Sequence, residues 1–127
     1  MKKTVWLLLL LAYCSFIFFL SAQSNIPKPL PFAHQDKLFH AGAYGLLAFI
    51  ALGYFAQVLG RARRALFAAL IFTVLYAISD EWHQSFVVGR EADMLDILAD
   101  TVGALLALWL MSYFREVPYI SKVIKLR

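Results

Sequence analysis

Four long apolar runs, separated by short polar or basic stretches, set the pattern of this chain. A bilayer core about 30 Å thick is spanned by roughly 20 helical residues. Runs near that length predict helices at Thr4 to Ala22, Leu38 to Leu59, Ala65 to Trp82 and Met94 to Phe114. The polar positions within and beside them are ordered. Positions three and four apart share a helix face. That spacing gives one stripe of Asp36, His40 and Tyr44, a second of Tyr76, Asp80 and Gln84 flanked by Glu81, and a third of Asp93, Asp96, Asp100 and Gly103. Each stripe sits at one end of its apolar run.

Composition places the pattern in a membrane. Of 127 residues 62% are hydrophobic and only 16% charged, which is wrong for a water-soluble domain. Orientation follows from the basic residues. Lys2, Lys3, Arg61, Arg63, Arg64, Arg115, Lys122, Lys125 and Arg127 flank one side of the runs, and Lys28, Lys37 and Arg90 the other. By the positive-inside rule this excess puts both termini in the cytoplasm. The expected fold is an all-α, four-helix transmembrane bundle. Its parts are an N-terminal anchor helix with a proline-rich outer loop over 1–35, a three-helix core over 36–114 and a basic cytoplasmic tail over 115–127. Pro27, Pro29 and Pro31 prevent a helix from crossing the first loop. The short "GRARR" connection makes the second and third helices antiparallel neighbours.

The first run has the parts of a signal peptide, "MKK" before an apolar stretch and "SAQS" after it. Its apolar core from Val5 to Leu20 is long for one and no small-x-small cleavage site follows, so a retained helix is expected. The tail "REVPYISKVIKLR" alternates basic and apolar residues, as a segment lying on an anionic leaflet would, or as a frayed topogenic tail. A net charge of +4 would suit nucleic acid, but the basic residues cluster beside apolar runs, so no nucleic-acid partner is expected. Cys14 is the sole cysteine, which excludes an intramolecular disulfide, and no Cys/His spacing marks structural zinc.

Six of the eight acidic residues fall between Asp80 and Asp100. Counting back from the basic ends at about 1.5 Å per residue brings Tyr44, Asp80, Glu81, Asp96 and Asp100 to similar depth. Ionisable groups within membrane helices face the bundle interior or a wet cavity. The three stripes are therefore expected to converge on one outward-opening polar pocket, with Lys37 and Arg90 as counter-charges. Gly103 and Ala107 continue the third stripe inward and are small enough for close helix approach.

"DKLFHAGAYGLLAF" and "SDEWHQSFVVGREADMLDILADTVGALL" resemble the VanZ-like family of small bacterial membrane proteins over roughly residues 36–107. The resemblance marks Asp36, Lys37, His40 and Tyr44, then Asp80, Glu81, Gln84, Phe86 and Arg90, then Asp93, Asp96 and Gly103. Asp100 departs from it, standing where the family commonly has asparagine. The family name derives from a determinant of teicoplanin resistance. The resemblance thus implies a multi-pass protein of the bacterial cytoplasmic membrane with an association with the cell envelope, and brings no established reaction.

Several chemistries suit these residues. Asp80, Glu81 and Asp96, with Gln84, offer oxygen ligands for a divalent metal, and His40 or His83 would add an imidazole. Alternatively the same groups form an ion network that locks the helix ends. In an enzymatic scheme Glu81 or Asp96 is general base or metal ligand, His40 a proton shuttle and Arg90 the holder of an anionic headgroup. The ligand-binding set then comprises Asp36, Lys37, Tyr44, Asp80, Gln84, Arg90, Asp93 and Asp100, with Gly103 structural. The expected partners are the bilayer, a lipid headgroup or lipid-linked envelope precursor, and a homodimer mate or membrane partner. A scaffold with a structural clasp is the second reading, and proton or cation passage the third. Trp82, Phe86 and Tyr113 are expected in interfacial belts. No phosphate-cradling glycine loop, nucleophile elbow or dinucleotide fingerprint is present in the sequence.

Overall fold

A lipid-exposed backbone has no water to satisfy it, so each apolar run must close its hydrogen bonds within itself. The computed structural model describes residues 2–24 and 34–114 and contains α1 (Lys3–Ser21), α2 (Gln35–Leu59), α3 (Ala62–Gln84) and α4 (Met94–Tyr113). No strand occurs among these residues. Each helix is long and apolar enough to cross a membrane, and the chain is a multi-pass membrane protein. The proline-rich loop and the basic tail lie outside the described residues.

The helices reach further into polar sequence than the apolar pattern indicates. α2 begins at Gln35 rather than Leu38, and α3 runs from Ala62 to Gln84 rather than Ala65 to Trp82. Asp36 falls in the first turn of α2, where a carboxylate complements the free N–H groups. α2 ends at Gly60, whose φ of +64° is the left-handed cap that glycine adopts without a Cβ penalty. Arg61 then leads directly into α3, so the two helices return antiparallel.

α2 is the hub. Its buried residues Leu47, Ala48, Ala51 and Leu52 meet Ala65, Ala69 and Ala77 of α3 and Ala104 and Leu108 of α4 in one apolar core. The α2–α4 crossing is tight: a Cβ at Gly45 would lie 3.2 Å from the Gly103 carbonyl oxygen and 3.7 Å from Ala107 Cβ. α1 joins through Trp6, whose ring fills the space a Cβ at Gly53 would need. Two phenols tie α1 further. Tyr13 donates to the Ala43 carbonyl at 3.0 Å, and Tyr76 to the Cys14 carbonyl at 2.6 Å. Leu8, Phe19, Phe67, Leu75 and Trp109 point outward, giving the bundle the apolar exterior that lipid requires. Trp82, Phe86 and Tyr113 are exposed as well.

Candidate functional site

The C-terminal ends of α1 and α3 and the N-terminal ends of α2 and α4 meet at one end of the bundle, where the polar stripes come together. The deepest layer holds Asp80 and Asp100, 5% and 1% exposed. Asp80 Oδ2 accepts from Ser21 Oγ at 2.7 Å, Tyr44 Oη at 3.0 Å and Gln84 Nε2 at 3.2 Å. Three helices are thereby stitched to one oxygen. Asp100 Oδ1 lies 3.0 Å from His40 Nδ1, and the other imidazole nitrogen, Nε2, lies 3.7 Å from Asp96 Oδ2.

Nearer the helix ends, Lys37 gathers three carboxylates. Its ammonium stands 3.2 Å from Asp36, 2.6 Å from Asp93 and 2.5 Å from Asp96. Asp93 also caps α4, its Oδ1 accepting from Leu95 N–H at 2.8 Å. The hydrogen bond from Lys37, followed by that from the Leu95 backbone, holds the Asp93 carboxyl below the usual aspartate range. Glu81 connects the layers by accepting from Gln84 Nε2 at 3.1 Å and from the Asp93 backbone N–H at 2.9 Å.

Asp36, His40, Tyr44, Asp80, Glu81, Gln84, Asp93, Asp96 and Asp100 come together at this end of the bundle, whereas Tyr76 turns to α1 and Gly103 packs on α2. Lys37 is the counter-charge to the acidic cluster, whereas Arg90 forms no ion pair with the described residues and its Nε is buried without a hydrogen-bond partner. The fold also does not assemble Asp80, Glu81 and Asp96 as a metal-ligating triple. Among the described residues, the acidic and imidazole side chains close enough to share an ion are His40, Glu81 and Asp100, with ligand atoms within 4.8 Å of one another. Asp80 is turned toward Ser21, Tyr44 and Gln84, and Asp96 toward Lys37.

Tyr76 sits beside Tyr44 at a ring separation of 6.4 Å but gives its hydroxyl to α1. His83 stacks on Phe18 with ring centroids 4.2 Å apart, a partner on another helix that stripe analysis within one helix does not show. Ser21 was likewise not expected. Its only sequence signal is a hydroxyl at the end of an otherwise apolar run.

Two adjoining cavities open here. An apolar one of about 300 Å³ runs between α1, α2 and α3, with Ile17, Leu20, Phe39 and Ala43 on its walls. A wider polar cleft of about 880 Å³ is lined by Lys37, Glu91, Asp93 and Asp96. Asp36, His40, Gln84 and Arg90 border both.

A family model described as VanZ/LLP1 matches residues 5–115, which covers α2, α3, α4, most of α1 and every residue of the polar site. The chain belongs to the VanZ/LLP1 family. No curated protein and no solved structure matches it. The VanZ/LLP1 match begins within α1, the helix that supplies Ser21 to Asp80 and Trp6 to the core. α1 is thus included in the family resemblance, beyond the 36–107 stretch that carries the sequence motifs.

Proposed function

We propose that this VanZ/LLP1 protein resides in the bacterial cytoplasmic membrane, with both termini in the cytoplasm, and binds the polar headgroup of a lipid or lipid-linked envelope precursor at its outer face. The observation that carries this reading is the pair of joined cavities. A polar cleft that shares Asp36, His40, Gln84 and Arg90 with an apolar groove matches an amphipathic ligand, its chain against Phe39 and Ile17 and its headgroup among the charges. Arg90 supplies a planar donor fork suited to a phosphate oxygen pair. The surrounding carboxylates suit hydroxyl or amine groups on the same headgroup. The excess of Lys and Arg at the opposite end supports the outward orientation.

Binding would be tested on the purified full-length protein by native mass spectrometry. Phosphatidylglycerol, phosphatidylethanolamine and a polyprenyl diphosphate would be offered in turn. Retention of one lipid by wild type and its loss in Arg90→Gln supports the reading; equal retention of all lipids in both proteins rejects it. A role in teicoplanin susceptibility is the finer form of the proposal. It predicts a changed inhibitory concentration on expression of wild type, and none with Arg90→Gln.

A structural clasp is the second reading, favoured by the three donors on Asp80 and the three carboxylates on Lys37. Passage of protons or cations has less support. Among the described residues, the buried positions beyond Asp100 and Asp80 are apolar apart from Thr73.

A further inference from the structure

We propose that His40, Glu81 and Asp100 form a binding site for one divalent first-row transition-metal ion. The three residues come from α2, α3 and α4, and each brings a ligand atom within 4.8 Å of the other two. Small inward shifts of the side chains convert that spacing to bonds of about 2.0–2.2 Å around a single centre.

Charge balance supplies the first argument. Among the described residues neither Glu81 nor Asp100 has a Lys or Arg partner: Lys37 is taken up by Asp36, Asp93 and Asp96, Arg90 forms no ion pair, and the basic group beside Asp100 is His40 itself. Buried carboxylates need a compensating cation or a proton. A divalent ion between Glu81 and Asp100 neutralises both.

The second argument is independent of the clustering. Asp100 is 1% exposed, yet among the described residues only its Oδ1 has a partner. Oδ2, bonded to the same carbon, is buried with no hydrogen bond. An unsatisfied carboxylate oxygen in a bundle core is costly, and a metal ion would satisfy it.

The donor set selects the metal. One imidazole and two carboxylates, with no thiolate, suit Zn²⁺, Mn²⁺, Fe²⁺ or Co²⁺ better than Ca²⁺ or Mg²⁺, which favour all-oxygen shells. Supporting contacts are in place around it. With Nδ1, on the Asp100 side, taking the metal, the other ring nitrogen of His40 keeps Asp96 as an acidic neighbour at 3.7 Å. Gln84 and the Asp93 N–H orient Glu81. Of the three residues His40 lines both cavities, while Glu81 and Asp100 lie behind it, 3% and 1% exposed. The site stands on this geometry whether or not a lipid headgroup binds.

The test uses tag-free full-length protein in mild detergent, stripped with chelator and titrated calorimetrically with Zn²⁺, Mn²⁺ and Co²⁺, with Mg²⁺ and Ca²⁺ as controls. One equivalent of a transition metal should bind, more tightly than Mg²⁺ or Ca²⁺. His40→Gln and Asp100→Asn should each weaken it by roughly a hundredfold or more, since loss of a supporting residue alone costs 10–100-fold. Ser112→Ala, near the C-terminal end of α4 and away from the polar site, should bind like wild type. Should either triad variant fail to fold, X-ray absorption on the metal-loaded wild type decides. An imidazole in the first coordination shell upholds the site, and an all-oxygen shell overturns it. Absence of saturable binding to wild type, or equal affinity in wild type and well-folded triad variants, also overturns it.

Discussion

Gly103 of α4 packs against the backbone of Ala41 in α2 so closely that a Cβ at position 103 would overlap the Ala41 carbonyl. Backbone cannot swing aside as a side-chain tip can, so the helices would have to separate. Lys37 and His40 lie on α2 and their partners Asp93, Asp96 and Asp100 near or on α4, which makes this crossing the frame of that part of the polar site.

Gly103→Ala should therefore lower stability by about 1–3 kcal/mol, the range for forced overpacking. It should also weaken any ligand binding at the polar end. Gly42→Ala is the control, since a Cβ there meets nothing within 4 Å. Thermal unfolding in one detergent compares the two. A Gly103→Ala melting temperature equal to that of Gly42→Ala would mean that the crossing is looser than described.

Asp80 gives a second prediction. Its Oδ2 serves donors from α1, α2 and α3, so Asp80→Ala leaves the Ser21, Tyr44 and Gln84 donors without that acceptor. Each stranded buried donor costs about 1–3 kcal/mol, so the variant should be destabilised well beyond Ser21→Ala, which removes one donor. A double-mutant cycle between positions 21 and 80 should show coupling of at least about 0.5 kcal/mol. Additive effects would remove Ser21 from the network.

These two relationships differ in how far the sequence reveals them. The four helices were legible because apolar runs of spanning length leave few alternatives, and the polar end was legible because the stripes fall at matching depths. Gly103 stood in its stripe as a small residue. That it meets Ala41 was hidden, because spacing orders residues along one helix but does not say which face of the next helix they touch. Ser21 was hidden for the same reason. The exchange of roles between Lys37 and Arg90 was also beyond pattern: both are basic residues at the same end, and only the fold sets Lys37 among three carboxylates. Helix ends extended past the apolar runs because polar residues such as Asp36 and Gln84 find partners in the site rather than in water.

Lys37 and Asp93 give a pH prediction. The Asp93 carboxyl is held below its ordinary value in the folded protein, so the folded state favours the ionised form. Its contribution to stability is present above the unfolded-state value, near pH 4, and is lost as pH falls through the lower folded-state value. The melting temperature should therefore fall as pH is taken below about 4. In Lys37→Met the Asp93 share of that slope should shrink, because the ammonium that depresses the carboxyl is gone. Melting curves of the two proteins between neutral pH and pH 3 measure the difference. Parallel curves would show that Lys37 does not set the acid sensitivity through Asp93.

Arg90 separates binding from stability more cleanly than any other residue of the site. Among the described residues it forms no ion pair and its buried Nε has no hydrogen-bond partner, so no described ion pair is lost when the guanidinium is removed. Arg90→Gln should unfold within about 0.5 kcal/mol of wild type, as changes away from buried networks do. If the guanidinium holds a phosphate in the cleft, the same substitution should weaken lipid retention by at least about tenfold, given about 1.5–3 kcal/mol for a hydrogen bond to a charged group. Arg90→Lys should fall between the two, because an ammonium keeps the charge but lacks the two-pronged donor geometry. A substantial loss of stability in Arg90→Gln with lipid retention unchanged would assign Arg90 to the fold and favour the clasp reading of the whole site.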